Sequence, residues 1–559
     1  MRRREFLAGS AALLASTRTF GEPAQAQAAA TVIDAHCHLF NVRDMPLEGF
    51  IRKVLIPNNR ELAGYFARYQ GAFEVMIHTL AEVMREDAPL PPDEIALLDD
   101  IARGRRRSPT ADERRRRDLA ILEKVLNRIW SKQILRRMRF RDGEAANIAI
   151  QRLQMLLLQE VSPRIFDGIV HEDEIESVIA STNLADLAAA LHAEGDEKTI
   201  ARNLHWALLF TRYRFELADE LQQRHRGRAV LLAPALVDLA KWVEDDTPAA
   251  MRNQVEVMAR VSLRAKGPRV HGFVGFDPLR QAIFEKEGGS AEDDPFAVVK
   301  HAVEKNGFVG VKLYPPMGFR PANNRDLGEE FPDHVKRAVG AAPGAHFDQI
   351  LDRLYAWCSE NNVAVLAHAT NSNAAGSGYG KRADPKFWAA VLREHPRLRL
   401  SMAHFGGFLE KGDPANLSNT WEWTVGEIFK GAPDGYAYAD LSYFSEIFGN
   451  ADARRATLND LIAFRNTFPN AADHLLYGTD WTMVGREQGF HGKQPYAQVV
   501  VQFLHEAGCT DAEVEKIVFK NAVRFFGLGP DQREKGTRGR LERFYAENKA
   551  SAEWLKAFG

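Results

Sequence analysis

Eight short apolar runs set the fold of this chain: Val32–His38, Ala229–Val237, Val270–Phe276, Phe308–Leu313, Val363–His368, Leu398–His404, Tyr436–Leu441 and Leu475–Asp480. From Ala229 to Leu528 they alternate with amphipathic stretches such as Asp348–Asn361 and Pro385–Glu394, the rhythm of βα units and a parallel sheet. Eight units are the number that closes a (β/α)8 barrel. The closing helix, Asp511 to Phe526, stops at Gly527, a residue suited to a helix C-cap.

Several runs end in a polar group. Asp34-Ala35-His36-Cys37-His38 ends the first, Lys312 lies in the fourth, His368 closes the fifth, His404 the sixth and Asp480 the eighth. A β/α barrel builds its active site at the C-terminal ends of its strands. Side chains alternate along a strand, so His36 and His38 face one way and Cys37 the other. A lone histidine on an apolar strand is usually a core residue. Four histidines and an aspartate at equivalent strand ends instead point to a divalent metal, with zinc, iron or manganese suited to mixed nitrogen and oxygen donors.

The remaining features bound the reading. Lys+Arg 73 against Asp+Glu 75 leaves no global field for nucleic acid or anionic lipid. Arg3-Arg4-Glu5-Phe6-Leu7, the apolar stretch Phe6 to Ala15 and Ala24-Gln25-Ala26 read as a twin-arginine signal over residues 1–28, which implies export to the periplasm. Nothing after it reads as a membrane segment, because a bilayer span takes about 20 apolar residues. Cys37, Cys358 and Cys509 are too few and too scattered for a disulfide framework.

Residues 41–227 break the rhythm. They read as helices over Asn59–Met84, Ala111–Met138, Glu144–Val161, Glu172–Ala193 and Thr199–His225. The stretch is expected as a helical insertion between the first two strands, with the barrel in residues 29–40 and 228–530 and a helical tail over 531–559. Two roles stay open for it: a lid or pocket wall, or a dimerisation and stability appendage that would make the chain a homo-oligomer. The basic runs Arg105–Arg107 and Arg114–Arg117 lack interleaved aromatics and read as a solvated surface. Gly288-Gly289-Ser290-Ala291 and Gly376–Gly380 lack the strand–loop–helix setting of a phosphate cradle.

Taken together, Asp-Ala-His-Cys-His, His368, His404 and Gly478-Thr479-Asp480 resemble the amidohydrolase superfamily. Asn521-Ala522-Val523-Arg524-Phe525-Phe526-Gly527-Leu528 is similar to the closing helix of its amidohydrolase-related branch, which includes aminocarboxymuconate-semialdehyde decarboxylase and pyrone dicarboxylate lactonase. The resemblance implies that His36, His38, His368 and Asp480 hold the metal and that Asp480 is general base and then general acid. It implies for His404 either a second metal or a hydrogen bond to the substrate carbonyl. Lys312-Leu313-Tyr314-Pro315 resembles the fourth strand of dihydroorotases, where a carboxylated lysine bridges two metals. An unmodified Lys312 would be a cation for a substrate carboxylate or a partner for a buried acid, and the branch resemblance favours this single-metal form.

Tyr314, Arg320, Asn371, Trp481 and His491 follow strand ends and are candidate pocket residues, Arg320 for an anionic substrate. The expected activity is hydrolysis of a small ester, lactone or amide. Non-oxidative decarboxylation of an aromatic or unsaturated acid uses nearly the same ligands. A silent binding protein on the same barrel is the reading that the full ligand set speaks against.

Overall fold

Each of the eight runs contributes a strand. In the computed structural model these are Val32–Cys37 (β1), Ala229–Pro234 (β2), Phe273–Gly275 (β3), Gly310–Leu313 (β4), Ala364–Thr370 (β5), Arg399–Gly406 (β6), Ala437–Asp440 (β7) and Leu475–Leu476 (β8). The structure describes residues 31–58, 77–78, 81–131, 206–407, 418–432, 435–492, 494–534 and 536–559. The expected signal over 1–28 and the expected helices Glu144–Val161 and Glu172–Ala193 lie outside the described residues, as does most of Asn59–Met84.

All the pairings are parallel. β1 pairs with β2, and β3 to β8 form a six-stranded sheet in chain order. Isolated bridges join Leu232 to Val270 and Ala235 to Phe273. Ala35 N–H donates to the Tyr477 carbonyl at 3.0 Å, and the Thr479 and Asp480 N–H groups donate to the His36 carbonyl at 3.1 and 2.8 Å. The described strands thus form two ladders, where the sequence reading expects one closed (β/α)8 ladder. At the seams, isolated bridges link β2 to β3, and single backbone hydrogen bonds link β1 to the chain around the two-residue β8, in place of regular ladders.

The strands are buried along nearly their whole length, which is why they read as continuous apolar runs rather than alternating ones. Ile33, Leu231, Phe273, Ala364, Leu366 and Leu476 share a core with Phe525 and Phe526 of the closing helix and with Leu541, Leu555 and Phe558 of the tail. Gly527 ends that helix at φ 70°, the left-handed cap expected of it. The crossover helices expected at Asp348–Asn361 and Pro385–Glu394 span Pro343–Glu360 and Lys386–Glu394.

Among the described residues between β1 and β2, helices cover Pro91–Ala102, Ala111–Ser131 and Arg214–Arg224. They are tied to the segment that leaves β1. The fully buried Arg214 donates to both Asp44 oxygens at 2.8 and 2.6 Å and to Glu94 at 2.8 Å. A buried cation facing two carboxylates in bidentate geometry holds its place only while both partners stay, so this cluster fixes the helix against the strand exit. Of the basic runs, Arg107 pairs with Glu113 at 2.6 Å and Arg117 with Glu216 at 2.5 Å.

Candidate metal centre

Asp34, His36 and His38 share one face of β1, as strand alternation requires. Asp34 accepts from the Thr479 N–H at 3.0 Å and its hydroxyl at 2.7 Å, which binds the exits of β1 and β8 together. A Cβ on Gly478 would stand 3.0 Å from the Cβ of His36, so glycine is what lets the two exits approach this closely.

His36 is completely buried and has two distinct sides. Its Nδ1 lies 3.3 Å from Asp440 and 2.9 Å from the Ser442 hydroxyl. Its Nε2 lies 3.2 Å from Lys312 Nζ and 3.6 Å from Asp480. His38 donates from Nδ1 to the Ala235 carbonyl at 2.8 Å, and its Nε2 faces Asp480 at 3.0 Å. His404 holds Nδ1 against the Ser442 carbonyl at 3.2 Å. In all three rings Nδ1 meets an acceptor, and in His36 and His38 Nε2 points toward Asp480. A partner behind the ring in this way orients a histidine for metal ligation through Nε2.

The charge states agree with this. Burial, then the Lys312 cation, pushes His36 down to about 4. Burial and the neighbouring His404, Lys312, His36 and His38 push His368 well below the usual range. Burial alone would raise Asp480, but the hydrogen bond and charge of His38, with His404 and His36, hold it at about 2. Asp440 is likewise held low by His36, His404 and Ser442 against the opposing effect of burial. Burial lowers Lys312 to about 8, with Asp440 and Asp480 acting the other way. At neutral pH His36 and His368 are therefore neutral and Asp440 and Asp480 ionised around one buried amine. The donor chemistry of the cluster fits a divalent ion.

One donor atom from each of His36, His38 and Asp480 lies within 4.8 Å of the others, and a second such group joins His36, His404 and Asp440. His368 belongs to neither group. Its ring is 4.7 Å from that of His404 and stacks on Tyr314 at 4.4 Å. Asp480 and His404 sit at φ 55° and 66°, left-handed conformations at the ends of β8 and β6, the strands that flank β7.

The other candidates disperse. Tyr314 is in the cluster, its phenol pushed up by burial and by Asp480. Trp481 is buried, stacked on Phe490 at 5.6 Å, and His491 bonds the Gly485 carbonyl at 2.5 Å. Asn371 is exposed, and Arg320 lies over the Phe387 ring at 4.8 Å with Nη1 toward the Asn323 carbonyl. Asp440 and Ser442 escaped the sequence reading. Asp440 stands one residue before the end of its apolar run, Tyr436–Leu441, and that near-terminal position was the available signal.

Residues 288–528 match the family model for amidohydrolases, a span that holds Lys312, His368, His404, Asp440 and Asp480 but not β1. Among solved structures the chain is similar to an amidohydrolase from Burkholderia multivorans with bound HEPES, at 14% identity over 58% of this chain and 91% of that one, with a TM-score of 0.37. It is also similar to a candidate 2-pyrone-4,6-dicarboxylic acid hydrolase from Pseudomonas putida, at 15% identity over 55% and 86%, TM-score 0.32. A candidate amidohydrolase from Staphylococcus aureus matches at 15% identity over 55% and 90%, TM-score 0.33. No curated protein matches the sequence. Residues 288–528, which carry the ends of β4 to β8, thus form an amidohydrolase-like segment within a longer chain.

Proposed function

We propose that this chain is an exported, metal-dependent hydrolase of a small ester, lactone or amide, built on a closed β/α barrel. The reading rests above all on His36 and His38, whose Nε2 atoms lie 3.6 and 3.0 Å from the Asp480 carboxylate while their Nδ1 atoms meet acceptors. These three residues, joined by His368, would hold one divalent ion, zinc for preference. Such an ion supplies a polarised substrate carbonyl and a more acidic water.

The chain's own groups do the rest. Asp480, ionised across the neutral range, accepts the proton that the attacking water gives up and returns it to the leaving oxygen or nitrogen. His404 hydrogen-bonds the substrate carbonyl. Lys312, as an ammonium, pairs with a carboxylate on the substrate, which makes a small anion the preferred class. Residues 41–227 wall the pocket, and residues 1–28 direct export by the twin-arginine route.

Anaerobic metal analysis of the purified protein, followed by a panel of esters, lactones and amides with CO2 release measured in parallel, tests the reading. One metal per chain and metal-dependent hydrolysis are expected. Release of CO2 without hydrolysis would replace this function with decarboxylation, and full activity in the chelated protein would end the metal mechanism.

A further inference from the structure

The turn that carries Asp480 is gripped from outside the amidohydrolase segment. Two side chains contributed by residues 206–225 reach it directly, and a third, His225, reaches it through Asp34. Trp206 donates its indole N–H to the Thr482 carbonyl at 2.7 Å. The Arg224 guanidinium lies 4.6 Å above the Trp481 ring and 5.3 Å from the Phe490 ring. His225 Nε2 meets Asp34 at 3.1 Å, and Asp34 in turn accepts from the backbone and hydroxyl of Thr479. The direct contacts fall on residues 481 and 482, and the one relayed by Asp34 falls on residue 479, on the other side of Asp480.

The gripping side chains are themselves held. Arg224 donates to Glu220 at 2.8 Å, Glu220 also pairs with Arg212, and Arg212 reaches Asp118 at 2.6 Å. Trp206 meets Phe210 edge to face at 4.8 Å, Phe210 stacks on Phe40, and Phe40 packs on His38. A planar guanidinium over an indole is directional, and an indole N–H given to a carbonyl fixes that carbonyl. Asp480 itself has φ 55°, a conformation that an aspartate keeps only where its surroundings impose it.

We infer that Trp206, Arg224 and His225 are positioning residues: they clamp the Thr479–Thr482 turn so that the Asp480 carboxylate stays aimed at His36 and His38. The segment between β1 and β2 thereby completes a site whose chemical groups all lie elsewhere. The inference rests on the reading of Asp480 as the catalytic carboxylate.

Metal-loaded full-length Trp206→Phe, Arg224→Ala and their double variant, compared with wild type, test it. Trp206→Phe removes the donor and keeps the ring, and Arg224→Lys keeps the charge toward Glu220. Hydrogen exchange of the amides of residues 478–485 should quicken about tenfold in the double variant, with exchange in β5 and β6 unchanged. Turnover per bound metal should fall about ten- to hundredfold at nearly constant KM, the signature of a displaced catalytic group. Arg224→Lys should recover part of that loss. Exchange that quickens equally throughout the sheet would show a role in global stability and overturn the clamp. Unchanged exchange and turnover would overturn it as well. Wild-type protein that hydrolyses no ester, lactone or amide, while the local exchange result holds, would remove the hydrolase reading and leave the clamp standing.

Discussion

The two sides of the His36 ring offer the same kinds of group and do different work. On the Nε2 side stand Asp480, His38 and Lys312, on residues that leave three different strands. On the Nδ1 side stand Asp440 and Ser442, two residues apart, and Asp440 also accepts from the His404 N–H at 3.0 Å and the Ser442 N–H at 3.1 Å. Asp440 is thus saturated by donors from the chain, and a carboxylate so occupied orients its partners rather than reacting. Asp480 has imidazoles for neighbours and is the one free to exchange a proton. Two buried aspartates at adjacent strand ends are separated by their hydrogen-bond partners, not by their charge state.

The sharpest way to break this comparison is to make each aspartate an amide. Asp480→Asn keeps an oxygen donor but cannot take a proton, so part of the metal should remain while turnover falls by about 10²–10⁴-fold. Metal analysis beside steady-state kinetics decides this, and near wild-type turnover in metal-loaded Asp480→Asn would assign the proton transfer to another group. Asp440→Asn should act through His36 instead. The loss of an outer partner costs roughly 10–100-fold in metal affinity. Once saturated with metal, that variant should recover most of its turnover. Equal catalytic losses in the two variants at saturating metal would abolish the distinction between the sides.

Lys312 belongs to the reacting side and gives a smaller, pH-dependent effect. Its amine sits at about 8 instead of 10.5, because burial disfavours the charged form. The ammonium is therefore present below pH 8 and lost as pH rises through it. KM for an anionic substrate should rise along that limb, and KM for a neutral one should not. Lys312→Met should remove the limb and raise KM for the anion about tenfold, the scale of one charge-assisted hydrogen bond. Metal content should stay at one per chain. A fall from two metals to one or none would instead identify a carboxylated, bridging lysine.

Much of this architecture could be read in the sequence because burial writes a simple pattern. Every strand falls on its apolar run, with β5 and β6 ending two residues past it, and His36, His38, His404 and Asp480 meet because strand ends of parallel βα units converge. Less legible was whatever depends on what stands behind a ligand. Asp440 looks in sequence like part of one more apolar run, and Ser442 like a loop residue. Their role exists only because His36, more than 400 positions away, turns its Nδ1 toward them. His225 and Trp206 were hidden for the same reason, since no local pattern links residues 206–225 to a turn at 479–482. His368 shows the reverse: its strand-end position is as expected, yet its ring faces Tyr314 and His404 rather than the His36, His38 and Asp480 group.

The smallest predicted effect concerns Arg320, which the sequence placed in the pocket as an anion partner. It follows Pro315-Pro316-Met317-Gly318-Phe319, where a short 3-10 turn reverses the chain as it leaves β4. That turn carries the guanidinium to the outside. There it lies over the Phe387 ring at 4.8 Å and reaches the Asn323 carbonyl at 3.4 Å, while its backbone N–H donates to Asn324 at 2.7 Å. An exposed cation over a ring contributes about 0.5–1 kcal/mol, and the backbone hydrogen bond survives truncation of the side chain. Arg320→Ala should therefore cost stability on that scale and leave KM for anionic and neutral substrates alike. A thermal melt and a pair of KM values suffice to check it. A tenfold rise in KM for the anion alone would bring Arg320 back into the pocket and make Lys312 one of two cations there rather than the only one.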